Sequence, residues 1–443
     1  MKIAFIGGGS VKWTSRLVVD MIFNESTADS MLVLHDIDEE ALNLLNRSCR
    51  RINEELGGRL NISVSLDRKD TLRDADFVIL CVAIGGLTAM RNDLLIPEKY
   101  GIYQSVGDTV GPGGLSRALR HIPFAVKLAR EMEELCPNGW LLNLTNPMTT
   151  ICRSVSRTTD INVVGLCHEV DIFREKYLAP LLKVPSDAIT FDVAGINHLP
   201  VIFNLKVEGQ SGTSLLQGWL EKHSEFEFVD HHVAGVEDVF VDRLAVKLNL
   251  FKKIGVLFGS GDRHVAEFFP DFLTEANHWG GRFGVILTTI DHREELALQG
   301  RRELKNFVNG GHMDLVKTNE QLVPVMAALL GGYEGKFVVN NTNDGCIVNL
   351  PSDAVVEHTV RINESGVHQC FREKLNDEAY NAVSQHIARQ EIIVEAALSG
   401  ESKFALEALS SDPLVADSTA VVPLLGELQK ANEPFMKPEF QGI

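Results

Sequence analysis

The chain has 443 residues, 45% of them hydrophobic and 23% charged, enough for an ample buried core and for two closely packed domains. A formal net charge of -18 argues against nucleic acid and against anionic membrane surfaces as partners. Seven scattered cysteines with no CxxC pair point to reduced thiols and a cytoplasmic location. The apolar run after Met1 is too short for a signal-peptide core, and no stretch approaches the roughly 20 apolar residues of a membrane span.

In chain order, residues 2–6 predict a buried parallel strand entering a tight turn at Gly7-Gly8-Gly9-Ser10. Leu17, Val18, Met21 and Ile22 recur at helical spacing and predict a helix within 11–23. A second buried strand over 31–36 ends on Asp36, and a helix over 41–56 follows. Residues 77–82 form a third strand, 115–135 a helix, 140–144 a strand ended by Asn146-Pro147, and 163–166 another strand. This alternation predicts an α/β fold with an N-terminal Rossmann-type, doubly wound sheet over 1–166. Residues 167–443 read as an α+β domain that holds substrate and metal. It has strands over 189–194, 201–207, 336–339 and 354–360, and helices over 215–222, 243–253, 377–398 and 404–409. There is no internal repeat and no long linker.

Several positions carry chemistry. Gly7 and Gly9 follow a strand and open a helix, where a pyrophosphate can approach the backbone at the helix N-terminus. Lys12 stands where the common fingerprint has a third glycine, and a plain strand-to-helix turn could use the same residues. Asp36, ending the next strand, can accept hydrogen bonds from ribose hydroxyls and favours NAD over NADP, although its spacing from Gly9 is longer than usual. Cys167 and His198 could be metal ligands, or a structural thiol and a core imidazole. Asn146 lies past a strand end, where amides suit hydroxyl-rich ligands; an Asx turn before proline is the structural alternative. Asp262-Arg263-His264 could supply a base and an anion clamp, or could form a solvated loop.

Together these segments resemble glycoside hydrolase family 4, the NAD- and metal-dependent glycosidases. The likeness covers essentially the whole chain. It runs through Gly7-Gly8-Gly9-Ser10, Asp108-Thr109-Val110-Gly111-Pro112-Gly113-Gly114, Asn146-Pro147-Met148, Cys167-His168-Glu169-Val170, Gly195-Ile196-Asn197-His198 and Asn349-Leu350-Pro351. The resemblance implies a lactate/malate dehydrogenase-like fold, a homodimer or homotetramer, and NAD and a divalent metal such as Mn²⁺ as cofactors. Cys167 and His198 would hold the metal, though a thiolate is an unusual ligand for Mn²⁺. Gly7, Gly9, Ser10, Asp36 and Asn146 would bind NAD. The Cys-His-Glu-Val motif is similar to that of the group acting on α-galacturonides, with α-galactosides or α-glucuronides as alternatives within the family.

The chemistry implied is oxidation at C3 of the sugar, deprotonation at C2, elimination of the glycosidic oxygen, addition of water and re-reduction. It departs from the two-carboxylate displacement of most glycosidases. In some family members a Tyr is the base, but Tyr100, Tyr103, Tyr177, Tyr333 and Tyr380 all lie away from Gly261-Asp262-Arg263-His264; the resemblance to α-specific members, where an Asp does that work, implies Asp262 as the candidate base by approximate position. Asp108 is the candidate acid, and His168 assists the leaving group or contacts sugar. Asn146 and Arg263 would bind substrate, with Arg117 or Arg120 as other partners for a uronate carboxylate. Glu169 would orient His168 or a metal-bound water. A 2-hydroxy-acid dehydrogenase would share the nucleotide domain but needs a His–Asp pair and a substrate arginine at that family's positions, and would leave Cys167 idle. A non-catalytic NAD-binding protein would bind without turnover.

Overall fold

The computed structural model describes residues 1–223 and 241–436. Six short runs form parallel strands: β1 (Lys2–Ile6), β2 (Met31–His35), β3 (Asn61–Ser65), β4 (Phe77–Leu80), β5 (Trp140–Asn143) and β6 (Asn162–Gly165). Their spatial order is β3-β2-β1-β4-β5-β6, so the direction of winding reverses between β1 and β4. Successive residues of a strand face opposite sides of the sheet. Accordingly Ala4 and Ile6 enter one hydrophobic cluster, while Ile3 and Phe5 enter the other. The doubly wound α/β fold read from the sequence is present.

The sheet does not stop at β6. Strands β7 (Ile189–Ile196), β8 (Leu199–Val207), β9 (Gln210–Ser211), β10 (Leu257–Phe258), β11 (Gly335–Thr342), β12 (Val355–Asn363) and β13 (Gly366–Gln369) extend it in antiparallel fashion. Asn340 of β11 lies opposite Gly165 of β6, and the order continues β11-β12-β7-β8-β10 to give a single 13-stranded sheet. β9 borders β8 and β13 borders β12.

Helices cover both faces. The Glu39–Glu55 helix is capped by Asp38, whose side chain accepts from the Ala41 N–H, and it buries Leu42, Leu45, Cys49 and Ile52 on one stripe. The first helix begins only at Thr14; residues 11–13 belong to the preceding turn. The Gly111–Leu135 helix starts four residues before its expected start at 115, within the Gly-rich segment. The strand β3 and the helices Gly86–Glu98, Met148–Thr158, Ile290–Val308, Leu322–Leu329 and Val421–Met436 were not anticipated from the sequence. All seven cysteines are free thiols. Among the described residues no helix is long and apolar enough to cross a membrane.

Candidate active site

The carboxyl ends of β1, β4, β5 and β6 lead into the Gly-rich turn, Cys81, Asn146 and Cys167-His168, all at the edge where open α/β sheets bind ligands. At the turn, Gly7 has φ 90° and packs so closely that a Cβ would lie 2.0 Å from the Cys81 carbonyl oxygen. The Gly7 and Gly8 N–H groups donate to the His35 carbonyl at 2.9 and 2.8 Å, tying the turn to β2. The Gly9 N–H donates to Asp36 Oδ2 at 2.8 Å, and the Asp38 N–H to Oδ1 at 3.0 Å. A side chain at Gly9 would begin 2.7 Å from Asp36 Oδ2, so only glycine leaves the carboxylate in place. Ser10 reaches the Cys81 thiol.

The centre of the site is a cluster of Asp108, His198 and His264, whose ligating atoms lie within 4.8 Å of one another. Asp108 comes from the irregular loop before the Gly111–Leu135 helix. His198 occupies the two-residue turn between β7 and β8 at φ 67°, a strained value for a side chain with a Cβ. His264 sits on the Asp262–Phe268 helix and stacks on His198 with ring centroids 3.6 Å apart. The Thr109 hydroxyl lies 2.7 Å from both Asp108 Oδ1 and His198 Nδ1, bridging the two residues. Burial alone would raise the Asp108 carboxyl. His264, His198 and Arg117 outweigh it and hold the group well below the usual carboxylate range. Burial pushes His198 down to about 3 and His264 down to about 4, so both imidazoles are neutral near pH 7 and keep a lone pair.

Asn146 donates to Asp108 Oδ2 at 3.2 Å, and its carbonyl accepts from Arg117 Nε at 2.9 Å. The Cys167 thiol lies against the Asn197 side chain, next to His198; burial, with Glu357 and Glu169 nearby, pushes it well above its ordinary value. It lies outside the cluster of Asp108, His198 and His264. His168 Nδ1 is 2.9 Å from Glu320 and its ring lies 5.7 Å from Trp13, beside the Gly-rich turn. Burial disfavours its charge, but the Glu320 hydrogen bond and the Glu320 and Glu169 charges prevail and raise its pKa. Glu169 Oε1 lies 3.9 Å from His168 Nε2, and its Oε2 accepts the Gly261 N–H at 2.7 Å.

Other residues read from the sequence are engaged elsewhere. The Asp262 carboxylate accepts the Val246 and Lys247 N–H groups at 3.0 and 3.1 Å and lies 3.3 Å from Lys247 Nζ. It therefore caps the Ala245–Ile254 helix within a buried Asp242–Lys247–Asp262 group, which does not suit a base facing sugar. Tyr177, far away in sequence, comes close after all: its hydroxyl accepts the Asp242 N–H at 3.3 Å. Arg263 binds the Ser105 carbonyl and the Thr288 hydroxyl, an anchoring role rather than an anion clamp. Arg120 forms a fully buried bidentate pair with Asp93 at 2.7 and 3.0 Å, so its charge is already paired away from a uronate.

Two buried acids escaped the sequence reading. Glu357 of β12 accepts the Asn197 and Asn340 amides, and Glu267 accepts the Val106 and Gly107 N–H groups. Burial pushes both up to about 8. The spacing His264-x-x-Glu267, two polar residues on one helix face in an apolar segment, was the available signal.

The profile of family 4 glycosyl hydrolases matches residues 2–183, and that of the family's C-terminal domain matches residues 193–415. The chain is 35% identical to the alpha-galacturonidase of Thermoanaerobacterium saccharolyticum, over 93% of this chain and 91% of the relative. It is similar to the crystal structure of lplD from Bacillus subtilis at TM-score 0.88 and 31% identity, covering 97% of this chain and 99% of that one. The 6-phospho-beta glucosidase from Thermotoga maritima, solved with manganese, NAD+ and glucose-6-phosphate, shares the fold at TM-score 0.81 and 23% identity, over 99% of this chain and 100% of that one. With both halves matched and a relative of this identity along nearly its whole length, the chain belongs to glycosyl hydrolase family 4.

Proposed function

We propose that the chain hydrolyses α-galacturonides with NAD and a divalent metal such as Mn²⁺ as resident cofactors. The observation that carries the substrate is the 35% identity to an alpha-galacturonidase, and the Cys167-His168-Glu169-Val170 motif supports it. The residues present fit both cofactors. Each Asp36 oxygen takes one N–H and keeps a lone pair for a ribose hydroxyl. His264 Nδ1 and Asn146 Oδ1 are buried with no hydrogen-bond partner among the described residues, as expected where a ligand completes the set. One carboxylate and two neutral imidazoles suit a divalent first-row metal, and the Cys167 thiol, beside the Asn197 side chain, stays a further candidate ligand with His198.

When bound, NAD supplies a hydride acceptor and donor for the sugar, and the metal an electrophile for its oxygens. The chain supplies the rest. Asp108, His198 and His264 hold the cation. Asp108 is kept ionised and serves better as a ligand than as a proton donor. His168, whose pKa the neighbouring Glu320 raises, is the acid for the departing glycosidic oxygen. Arg117 and Arg293 flank Asp108, and one of them meets the uronate carboxylate in place of Arg263.

The test is hydrolysis of p-nitrophenyl α-galacturonide, α-galactoside and α-glucuronide with NAD⁺ and Mn²⁺ under reducing conditions. Cleavage of the galacturonide, lost on chelation and without net NADH, is expected. Activity on the galactoside alone would overturn the substrate, and equal activity after removal of both cofactors would overturn the mechanism. A substrate-dependent net rise in NADH would favour a dehydrogenase.

A further inference from the structure

The loop that carries Asp108 is irregular yet buried: Ser105, Val106, Thr109 and Val110 are each at most 7% exposed. Buried backbone N–H groups need acceptors, and an irregular loop has no ladder to provide them. Here side chains provide them. Glu267 Oε1 accepts the Val106 N–H at 2.7 Å and the Gly107 N–H at 2.8 Å, the two residues just before Asp108. Glu267 is 1% exposed and lies one helical turn after His264, on the same face of the Asp262–Phe268 helix. One carboxylate therefore joins the loop bearing Asp108 to the helix bearing His264, although the two ligands are far apart in sequence. Ser105 adds a second tie to the same helix, its hydroxyl donating to the Arg263 carbonyl and its carbonyl accepting Arg263 Nη2 at 3.1 Å, but the Glu267 tie lies nearer Asp108. Further along, the loop is tied to other parts of the fold. The Gly111 N–H donates to Asp412, and the Gly113 N–H to Gln104 within the loop itself.

We propose that Glu267 is a positioning residue for the metal group: it holds Asp108 at ligating distance from His264 and His198 by fixing the Val106–Gly107 backbone to the His264 helix. The inference rests on the reading of Asp108, His198 and His264 as the metal ligands. Glu267 touches neither metal nor sugar in this scheme. Its second oxygen has no hydrogen-bond partner among the described residues, so its contribution runs through Oε1. The backbone contacts need an acceptor at the right reach, not a negative charge, so glutamine can replace it and aspartate, one methylene shorter, cannot.

The experiment measures Mn²⁺ binding to the full chain by electron paramagnetic resonance of the free ion, with the folded fraction checked by circular dichroism. Glu267→Asp is expected to bind Mn²⁺ roughly 10- to 100-fold more weakly, the range seen when a supporting partner of a metal site is removed. Glu267→Gln is expected to bind like the parent chain. The control is Glu131→Gln, which breaks the buried Arg68–Glu131 pair remote from the cluster; it should lower stability and leave binding alone. Parent-like binding by Glu267→Asp, or an equal loss in Glu131→Gln, would overturn the proposal. A parent chain that takes up no Mn²⁺ sinks the metal reading instead. The tie is then judged by hydrogen exchange over residues 104–110, and unchanged exchange in Glu267→Asp overturns it.

Discussion

Glu357 is a carboxyl with no exposed surface, two amide donors on one oxygen, and no partner for the other oxygen among the described residues. Burial pushes it up to about 8, whereas an unfolded glutamate titrates near about 4.3. Between those values the folded chain binds more protons than the unfolded chain, so this group makes stability fall as pH rises. The penalty is absent below the lower value and complete above the higher one. Glu357→Gln removes it. In denaturant titrations the variant should gain on the parent chain from about pH 5 to about pH 8, by on the order of 1 kcal/mol per pH unit. A pH-independent difference would show that Glu357 is ionised in the folded chain. His198 and His264 act with the opposite sign: held down at about 3 and about 4, they cost stability only as pH falls below the ordinary histidine value. At this scale Asp108, Asn146 and His198 were singled out in the sequence, Asp108 as the acid and His198 as a metal ligand through the family resemblance, and the fold brings them together. His264 stood in the same motif as Asp262, but residues two apart on a helix project roughly 200° from each other and cannot share a site. The sequence does not say which of the two faces inward.

Asp262 has its effect on an element. The Ala245–Ile254 helix begins after Leu244 at φ 60°, which offers no side-chain cap of its own. Asp262 supplies the cap from across the fold, and Lys247, fully buried, relies on it and on Asp242 for charge. Asp262→Ala should cost about 1–3 kcal/mol, as a lost helix cap combined with a weakened buried ion pair. Asp262→Asn keeps an acceptor and should cost less. Both should retain Mn²⁺ binding, since the carboxylate faces Lys247 rather than the cluster. Full stability with lost turnover in Asp262→Asn would restore it as the catalytic base. The other elements show what was legible and why. Strands β1, β2, β4 and β5 read clearly because they are continuous apolar runs covered on both faces. β3 was missed because Asn61-Ile62-Ser63-Val64-Ser65 is an edge strand with one deeply buried side chain. The Ile290–Val308 helix was missed for a related reason: only Ile290, Leu304 and Phe307 are buried, so it carries no continuous apolar stripe.

At the scale of the whole molecule, the question is whether the nucleotide-binding half can stand alone. Residues 2–183 match one family profile and 193–415 another, which invites a cut between them. The packing argues otherwise. Ile3, Phe5, Leu32 and Ile79 of the parallel strands share a cluster with Leu322, Val325, Met326, Phe337 and Val339, all supplied by the second half. β11 also covers the edge of β6 through Asn340 and Gly165. A fragment of residues 1–183 would expose those apolar side chains at roughly 25 cal/mol per Å² and leave β6 as an open edge. The fragment should therefore bind a hydrophobic dye, be cut rapidly by protease and aggregate in gel filtration, while the full chain binds no dye, resists protease and elutes as one defined species. Adding residues 193–436 as a separate chain should suppress all three. A monomeric, protease-resistant fragment with native-like near-ultraviolet circular dichroism would show that the helices of the first half cover the sheet unaided. The nucleotide half would then be an independent folding unit, onto which the second half is docked.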